Sequence, residues 1–211
     1  MYIAIEGVIG VGKTTLARLL QNAFNAEILL EVFEENPFLS DFYADRERYA
    51  FQTQIFFLLS RYHQQRRTVP QLVATGKNLF ADYTFAKDAL FAQINLKGDE
   101  LDMYYKVHEA LAEKIQKPDL LVYLQASTDM LMQRISLRDR PYERQMERSY
   151  IDELNHAYDS FFAKPFDHTP VLTIDTNNLN IIQNPAHLKW VEDRIRQSLN
   201  LPPFQQSLPL P

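Results

Sequence analysis

The run Gly7-Val8-Ile9-Gly10-Val11-Gly12-Lys13-Thr14 fits the pattern of glycine, four residues, glycine, lysine, then serine or threonine. The pattern works only between a strand and a helix, so it constrains the fold as well as the chemistry. Ahead of it, Tyr2-Ile3-Ala4-Ile5 is a short apolar run of strand type, and behind it Thr15-Leu16-Ala17-Arg18-Leu19-Leu20 has helical spacing. The glycines let main-chain N–H groups and a positive helix terminus converge on a polyphosphate. In that setting Lys13 reaches the β and γ phosphates and the Thr14 hydroxyl holds magnesium, with Thr15 completing the expected nucleotide contacts. A glycine turn that binds nothing is the competing reading. The adjacent Lys-Thr pair in a strand-loop-helix context counts against it.

Five segments read as strands, at residues 2–5, 27–30, 78–81, 120–124 and 171–174, and long helical stretches separate them. That alternation predicts a doubly wound α/β fold with a five-stranded parallel sheet covered on both faces. At 211 residues and 46% hydrophobic, the chain can bury one large core, so one domain over residues 1–200 is expected. The last ten residues carry four prolines, which predicts an extended or disordered tail over 201–211. A net charge of −5 gives no general attraction to a phosphate backbone, so nucleic acid is not an expected partner. The absence of cysteine excludes a disulfide framework, a thiolate zinc site and a cysteine nucleophile, and agrees with a reducing compartment. The first strand starts at residue 2 and no apolar stretch reaches membrane-spanning length, so a soluble, cytoplasmic protein without a membrane partner is expected. None of the five histidines is spaced as a metal pair.

Ligands of such sheets gather at the carboxyl ends of the strands. After the second strand comes Glu31, followed by Val32-Phe33-Glu34-Glu35-Asn36-Pro37, where carboxylates accumulate; Asn36-Pro37 predicts a helix start running through Tyr43. A long helix is expected over 46–67, with Phe51, Ile55, Leu58 and Tyr62 as its core stripe. Gln54, Phe57 and Arg61 share the neighbouring face, either as boundary surface or as a reader of a planar base, for which they offer amide donor and acceptor, ring face and guanidinium. The third strand ends on Asp82, placed either to meet a magnesium ion or to cap the next helix. Five arginines, Arg134, Arg138, Arg140, Arg144 and Arg148, follow the fourth strand, with Pro141-Tyr142 interrupting a helix among them. Such a run is often a solvated face. In an otherwise acidic chain it reads instead as a lid whose guanidiniums close over a transferring phosphate.

The order of phosphate loop, Glu31, Gln54, acidic third-strand end and arginine-rich lid resembles the deoxynucleoside kinase family, which includes deoxycytidine, deoxyguanosine and deoxyadenosine kinases. The resemblance covers about residues 2–174. It is most specific at Ile5-Glu6-Gly7, at Phe51-Gln52-Thr53-Gln54 with Leu59-Ser60-Arg61, and at Tyr123-Leu124-Gln125-Ala126 leading to Arg134-Ile135-Ser136-Leu137-Arg138-Asp139-Arg140. It implies transfer of the ATP γ-phosphate, with magnesium, to the 5′-hydroxyl of a deoxynucleoside, and a homodimer. It implies that Glu31 is the general base and that Gln54 pairs with the base. Tyr43 and Glu143 fall where the family holds the sugar 3′-hydroxyl, and Arg134, Arg138 and Arg140 fall on the lid positions that contact phosphates. A carboxylate at a strand end can accept a hydroxyl proton, and arginines with magnesium offset charge on the transferred group.

The departure from the family is Asp82-Tyr83-Thr84, where much of it has an acid followed by arginine. Tyr83 removes a cation that would steady the catalytic carboxylate, leaving another arginine to substitute. In that register Asp88 lies near the base edge, able to pair with Arg61; a register shifted by one puts Lys87 there. The missing arginine, with Glu34-Glu35-Asn36-Pro37-Phe38-Leu39, places the chain nearest the bacterial purine deoxynucleoside kinases. Two other readings remain: a nucleoside monophosphate kinase of the thymidylate kinase type, disfavoured because Glu31, Glu34 and Glu35 would repel a bound monophosphate, and a non-catalytic kinase-like subunit, disfavoured because Lys13, Thr14 and Glu31 are all intact.

Overall fold

The computed structural model describes residues 1–33, 35–164, 166 and 169–203. Glu34, His168 and the expected tail from residue 204 onward lie outside the described residues. Five strands, β1 (Tyr2–Glu6), β2 (Ala26–Leu29), β3 (Asn78–Ala81), β4 (Leu120–Gln125) and β5 (Val171–Asp175), form one sheet in the order β2-β3-β1-β4-β5. Every pairing is parallel, as the alternation of strand and helix signals predicts. All five residues of β1 and the first five of β4 are buried, which accounts for their unbroken apolar sequence: a central parallel strand is covered on both faces. β5 pairs only with β4, and its buried residues, Leu172 and Ile174, alternate with exposed Thr173 and Asp175.

The helices are α1 (Lys13–Leu20), α2 (Leu39–Ala44), α3 (Arg46–Ala74), α4 (Lys87–Asn95), α5 (Gly98–Ala112), α6 (Thr128–Arg138), α7 (Arg148–Phe162) and α8 (Pro185–Ser198), with a 3₁₀ turn at Pro141–Glu143. The chain leaves β1 toward β2 and β3, then crosses back past β1 to β4 and β5. The reversal opens a crevice at the carboxyl end of β1, where the phosphate loop lies.

Three elements depart from the sequence-based expectation. The helix expected to end near residue 67 runs on through Pro70 to Ala74. Pro70 is exposed, so the carbonyl that loses its N–H partner faces water, while Val69 beside it is buried at 1% exposure. α2 starts at Leu39 rather than at Asn36-Pro37, because the Asn36 side chain accepts from the Phe38 N–H at 3.0 Å and makes a local turn first. α4, a helix to which the sequence reading gave no bounds, carries two charged residues, Lys87 and Asp88, both buried. Among the described residues, no helix is long and apolar enough to cross a membrane.

Candidate active site

Sheet register sets the site. Ala81 pairs with Leu29 on one side and with Ala4 on the other, so the segments beyond β2, β3 and β1 emerge next to one another. Asp82, the first residue past β3, accepts the Glu31 backbone N–H at 2.8 Å on one carboxylate oxygen and the Thr14 hydroxyl at 2.5 Å on the other. Three strand ends are thereby joined through one carboxylate. Asp82 caps no helix: α4 starts five residues later, and its N-cap, Ala86, has no side-chain cap bond. The remaining reading, an acid beside the loop hydroxyl, stands.

Glu31 sits between two cations. Arg61, about one turn along α3 from Phe57 and two from Gln54, donates to Glu31 Oε1 from Nε at 2.9 Å and also from Nη2. Lys87, the first residue of α4, donates to Glu31 Oε2 at 2.6 Å. Burial pushes the Glu31 carboxyl up, but the charges of Arg61 and Lys87 outweigh burial and hold it well below the usual carboxylate range. The other end of Arg61 pairs with Asp88, while Lys87 turns to Glu31. Asp88 is fully buried, which pushes its carboxyl up to about 6 against the pull of Arg61, and its Oδ2 has no hydrogen-bond partner among the described residues.

Gln54, Phe57 and Arg61 are all buried, at 2%, 9% and 6% exposure, so the trio is not boundary surface. The Arg61 guanidinium lies 4.4 Å from the Phe57 ring centroid. Gln54 Oε1 has no partner among the described residues, leaving a buried amide acceptor to be satisfied. Where the sequence places Tyr83 instead of arginine, its hydroxyl donates to Gln64 Oε1 at 2.5 Å, and Gln64 donates to the Leu30 carbonyl at 2.8 Å, bracing the β2 end.

In the phosphate loop, Lys13 turns back on the carbonyls of Gly7 and Val8 at 2.6 and 3.2 Å. Burial, and then repulsion by Lys87, lower its ammonium to a pKa of about 8. Gly12 opens α1 at φ +105° with nothing within 4 Å of a built Cβ, so the loop keeps a bare backbone where a phosphate would approach. Gly7, at φ +146°, is required for a different reason: a Cβ would stand 2.5 Å from the Leu124 carbonyl oxygen. Gly7→Ala is therefore expected to destabilise the fold by about 2 kcal/mol or more. A thermal melt unchanged from that of the parent protein would contradict this packing.

The lid is partly engaged with itself. Arg138 donates to both Glu143 oxygens, from Nε at 3.1 Å and Nη2 at 2.5 Å, and Arg140 lies 3.6 Å from the same carboxylate. Arg140 also lies over the Phe33 ring at 4.3 Å, and Tyr142 stacks on Tyr43 with 6.3 Å between centroids. The cleft bounded by Lys13, Glu31, Tyr43, Lys87, Arg138 and Glu143, among others, has a volume of about 110 Å³. Sites for ligands of nucleoside size are roughly 300 Å³ and larger, so the cleft as it stands is narrower than such a ligand needs. Arg144 and Arg148 face away and pair with Asp139 and Asp129 on the surface, so the five-arginine run divides between the site and solvent.

The family described as deoxynucleoside kinase matches residues 3–200 of this sequence. The chain belongs to the deoxynucleoside kinase family. It is 33% identical over 199 residues to a deoxyguanosine kinase of Bacillus subtilis (strain 168), covering 93% of this chain and 96% of that one. It is 34% identical over 211 residues to a deoxyadenosine kinase of Dictyostelium discoideum, covering 96% and 84%. A solved deoxyadenosine kinase from M. mycoides, with products dCMP and a flexible dCDP bound, superposes with a TM-score of 0.81 at 24% identity over 94% of this chain and all of that one, a likeness of fold. Membership makes the protein a kinase that takes its phosphate from ATP.

One argument against a monophosphate acceptor does not survive the geometry. Among the described residues lining this kinase's cleft, five cations (Lys13, Arg61, Lys87, Arg138, Arg140) face three carboxylates (Glu31, Asp82, Glu143), so the cleft is not acidic. Family membership, not repulsion by the glutamates, favours the nucleoside acceptor.

The kinase also has a larger cavity, of about 700 Å³, on the far side of the phosphate loop. Gly10, Gly12 and Thr15 line it together with Arg134 and Leu137 of α6 and the segment 176–182 after β5. Arg134 braces this wall: it donates to the Thr176 hydroxyl and carbonyl at 3.0 and 2.7 Å and to the Val11 carbonyl at 3.3 Å. Leu137 and Ile182 are 79% and 73% exposed at its mouth, apolar faces suited to a flat ring. Sequence reading missed 176–182, although Thr176-Asn177-Asn178-Leu179-Asn180 directly follows a strand end, which is the signal that marked the other site segments.

Proposed function

We propose that this kinase transfers the ATP γ-phosphate to the 5′-hydroxyl of a purine deoxynucleoside, deoxyguanosine or deoxyadenosine, in nucleotide salvage. The observation that carries the reading is Glu31: a carboxylate at the end of β2, bonded through its own N–H to Asp82 and facing the same cleft as Lys13 and Gly10. In this reading Glu31 takes the proton of the 5′-hydroxyl. Tyr43 and Glu143 receive the sugar, and Gln54, Asp88 and Arg61 meet the base edge while Phe57 supplies a ring face. The loop 7–14 with Thr15 cradles the triphosphate, and the 700 Å³ cavity takes the adenine of the donor. Arg138 and Arg140 exchange Glu143 for phosphate oxygens as the lid closes, with Arg134 fixing the base of α6 against the loop. Thr14 and Asp82 fit magnesium, since a hydroxyl and one carboxylate already within hydrogen-bond reach suit an ion that keeps waters and phosphate oxygens as its other ligands. The ion supplies charge neutralisation on the phosphates.

Purine preference is supported by the names of the relatives, a deoxyguanosine kinase and a deoxyadenosine kinase, while two buried acceptors, Gln54 Oε1 and Asp88 Oδ2, that lack partners among the described residues await donors on the base edge. A homodimer and a cytoplasmic location belong to the same proposal, as does one domain over residues 1–200; Leu59 of α3 and Met103 of α5 are exposed apolar residues on two helices that pack together. The test is a comparison of initial rates with deoxyguanosine, deoxyadenosine, deoxycytidine and thymidine, with magnesium and with the ion chelated. Expected are a purine kcat/KM at least about tenfold above either pyrimidine and no turnover after chelation. A pyrimidine preference would reject the base assignment and leave the kinase.

A further inference from the structure

Lys87 is a buried cation outside both the phosphate loop and the arginine-rich segment. It is 5% exposed, it begins α4 and its ammonium bonds Glu31 Oε2 at 2.6 Å. Burying an amine is costly unless its charge is used or matched. One cation already secures Glu31: Arg61 gives Oε1 two N–H bonds and is anchored at its far end by Asp88. A second cation on the same carboxylate takes one lone pair of Oε2 and lowers its affinity for a hydroxyl proton.

The surroundings of Lys87 point to a second position for its charge. Lys87 lines the cleft with Gly10, Lys13 and Thr14, which is where the outer phosphates of a bound nucleotide lie if the loop acts as its sequence implies. Lys13 feels Lys87 as its strongest charged neighbour and is folded back on loop carbonyls. Two ammonium groups facing one cleft repel each other until an anion comes between them. The Lys87 ammonium stands 5.8 Å from the ring centroids of both Tyr83 and Phe91, held by no second ion pair among the described residues, and a lysine is a point charge on a flexible stem, unlike the doubly anchored planar fork of Arg61.

We propose that Lys87 is a cation shared between the base and the transferred group: it holds Glu31 Oε2 while the donor is absent and moves onto a γ-phosphate oxygen when ATP binds. The proposal rests on the reading of Glu31 as the base. With Oε2 released, Glu31 takes the proton of the 5′-hydroxyl, the 5′ oxygen bonds to the γ phosphorus, and the bond from that phosphorus to the bridging oxygen breaks to leave ADP. Lys87 offsets charge on the phosphoryl oxygens. Donor binding thus prepares the base for the acceptor. The cation that Tyr83 does not supply next to Asp82 comes instead from the start of α4.

The test compares Lys87→Met, Lys87→Arg and Glu31→Gln, each checked for a native melt, by steady-state kinetics and by binding of a non-hydrolysable ATP analogue with magnesium. Lys87→Met is expected to lower kcat about a hundredfold and weaken the analogue several-fold, with the acceptor KM within about threefold of the parent. Lys87→Arg is expected to recover at least about tenfold of the lost kcat, because a cation returns to the same stem position. If Lys87→Met does not fold, Lys87→Gln takes its place with the same expectations. A Lys87 variant without the charge that keeps near-parental kcat while Glu31→Gln is inactive overturns the shared-cation role alone; so does a loss confined to acceptor KM. Near-normal turnover by Glu31→Gln would instead remove the base reading on which it stands.

Discussion

Glu31→Gln is expected to lower kcat by about a thousandfold, in the middle of the range that a general base contributes, while ATP binding stays near the parental value. The amide keeps nearly the same shape, and the bond from the residue 31 backbone N–H to Asp82 does not involve the side chain. What changes is the ability to take a proton. A carboxylate there accepts from Arg61 on one oxygen and Lys87 on the other, whereas an amide must turn its NH2 toward one of the two cations. Some loss of stability therefore accompanies the loss of turnover, and a melt measured beside the kinetics separates them. Turnover within about tenfold of the parent enzyme would mean that another group takes the proton.

The second large effect is expected at Arg61. Arg61→Met removes the only cation bonded to Asp88 among the described residues and one of two on Glu31, leaving a fully buried carboxylate at position 88 without its partner. Breaking a buried ion pair from one side costs about 3–5 kcal/mol. For a chain of 211 residues that corresponds to a fall in Tm of roughly 6–20 °C. Binding of the acceptor should fail as well, because Arg61 fixes both Glu31 and the wall beside Phe57. A double change, Arg61→Met with Asp88→Leu, is expected to regain part of the Tm without regaining activity, since the stranded charge is gone but the base is still unheld. A single variant with an unshifted Tm would show that the buried pair does not contribute to the fold.

Much of this site was legible because strand ends are local features. The glycine pattern marked the loop, and the position of Glu31 and Asp82 after apolar runs placed them at the carboxyl edge of the sheet before any register was known. The pairing of Arg61 with Asp88 was legible through the family resemblance alone, whose register put Asp88 within reach of Arg61. The partnership of Lys87 with Glu31 was not. It depends on β2 and β3 being neighbours, with Leu29 opposite Ala81, and on a helix to which the sequence reading gave no bounds. Pro70 misled in the opposite direction, because a proline on the exposed side of a long helix costs one hydrogen bond that water replaces. The share of the five lid arginines that serves the site was set by which carboxylates lay close by. Glu143 holds Arg138 and Arg140, while Asp139 and Asp129 draw Arg144 and Arg148 to the surface.

The central claim is transfer of a phosphoryl group to a free 5′-hydroxyl in the cleft between Glu31 and the loop. The most direct measurement incubates the purified protein with γ-labelled ATP, magnesium and either deoxyguanosine or deoxyguanosine monophosphate, and separates the products. The account predicts label in the monophosphate when the nucleoside is the acceptor, and none transferred to the monophosphate supplied as acceptor. Label appearing in a diphosphate from the second reaction, with none from the first, would contradict it.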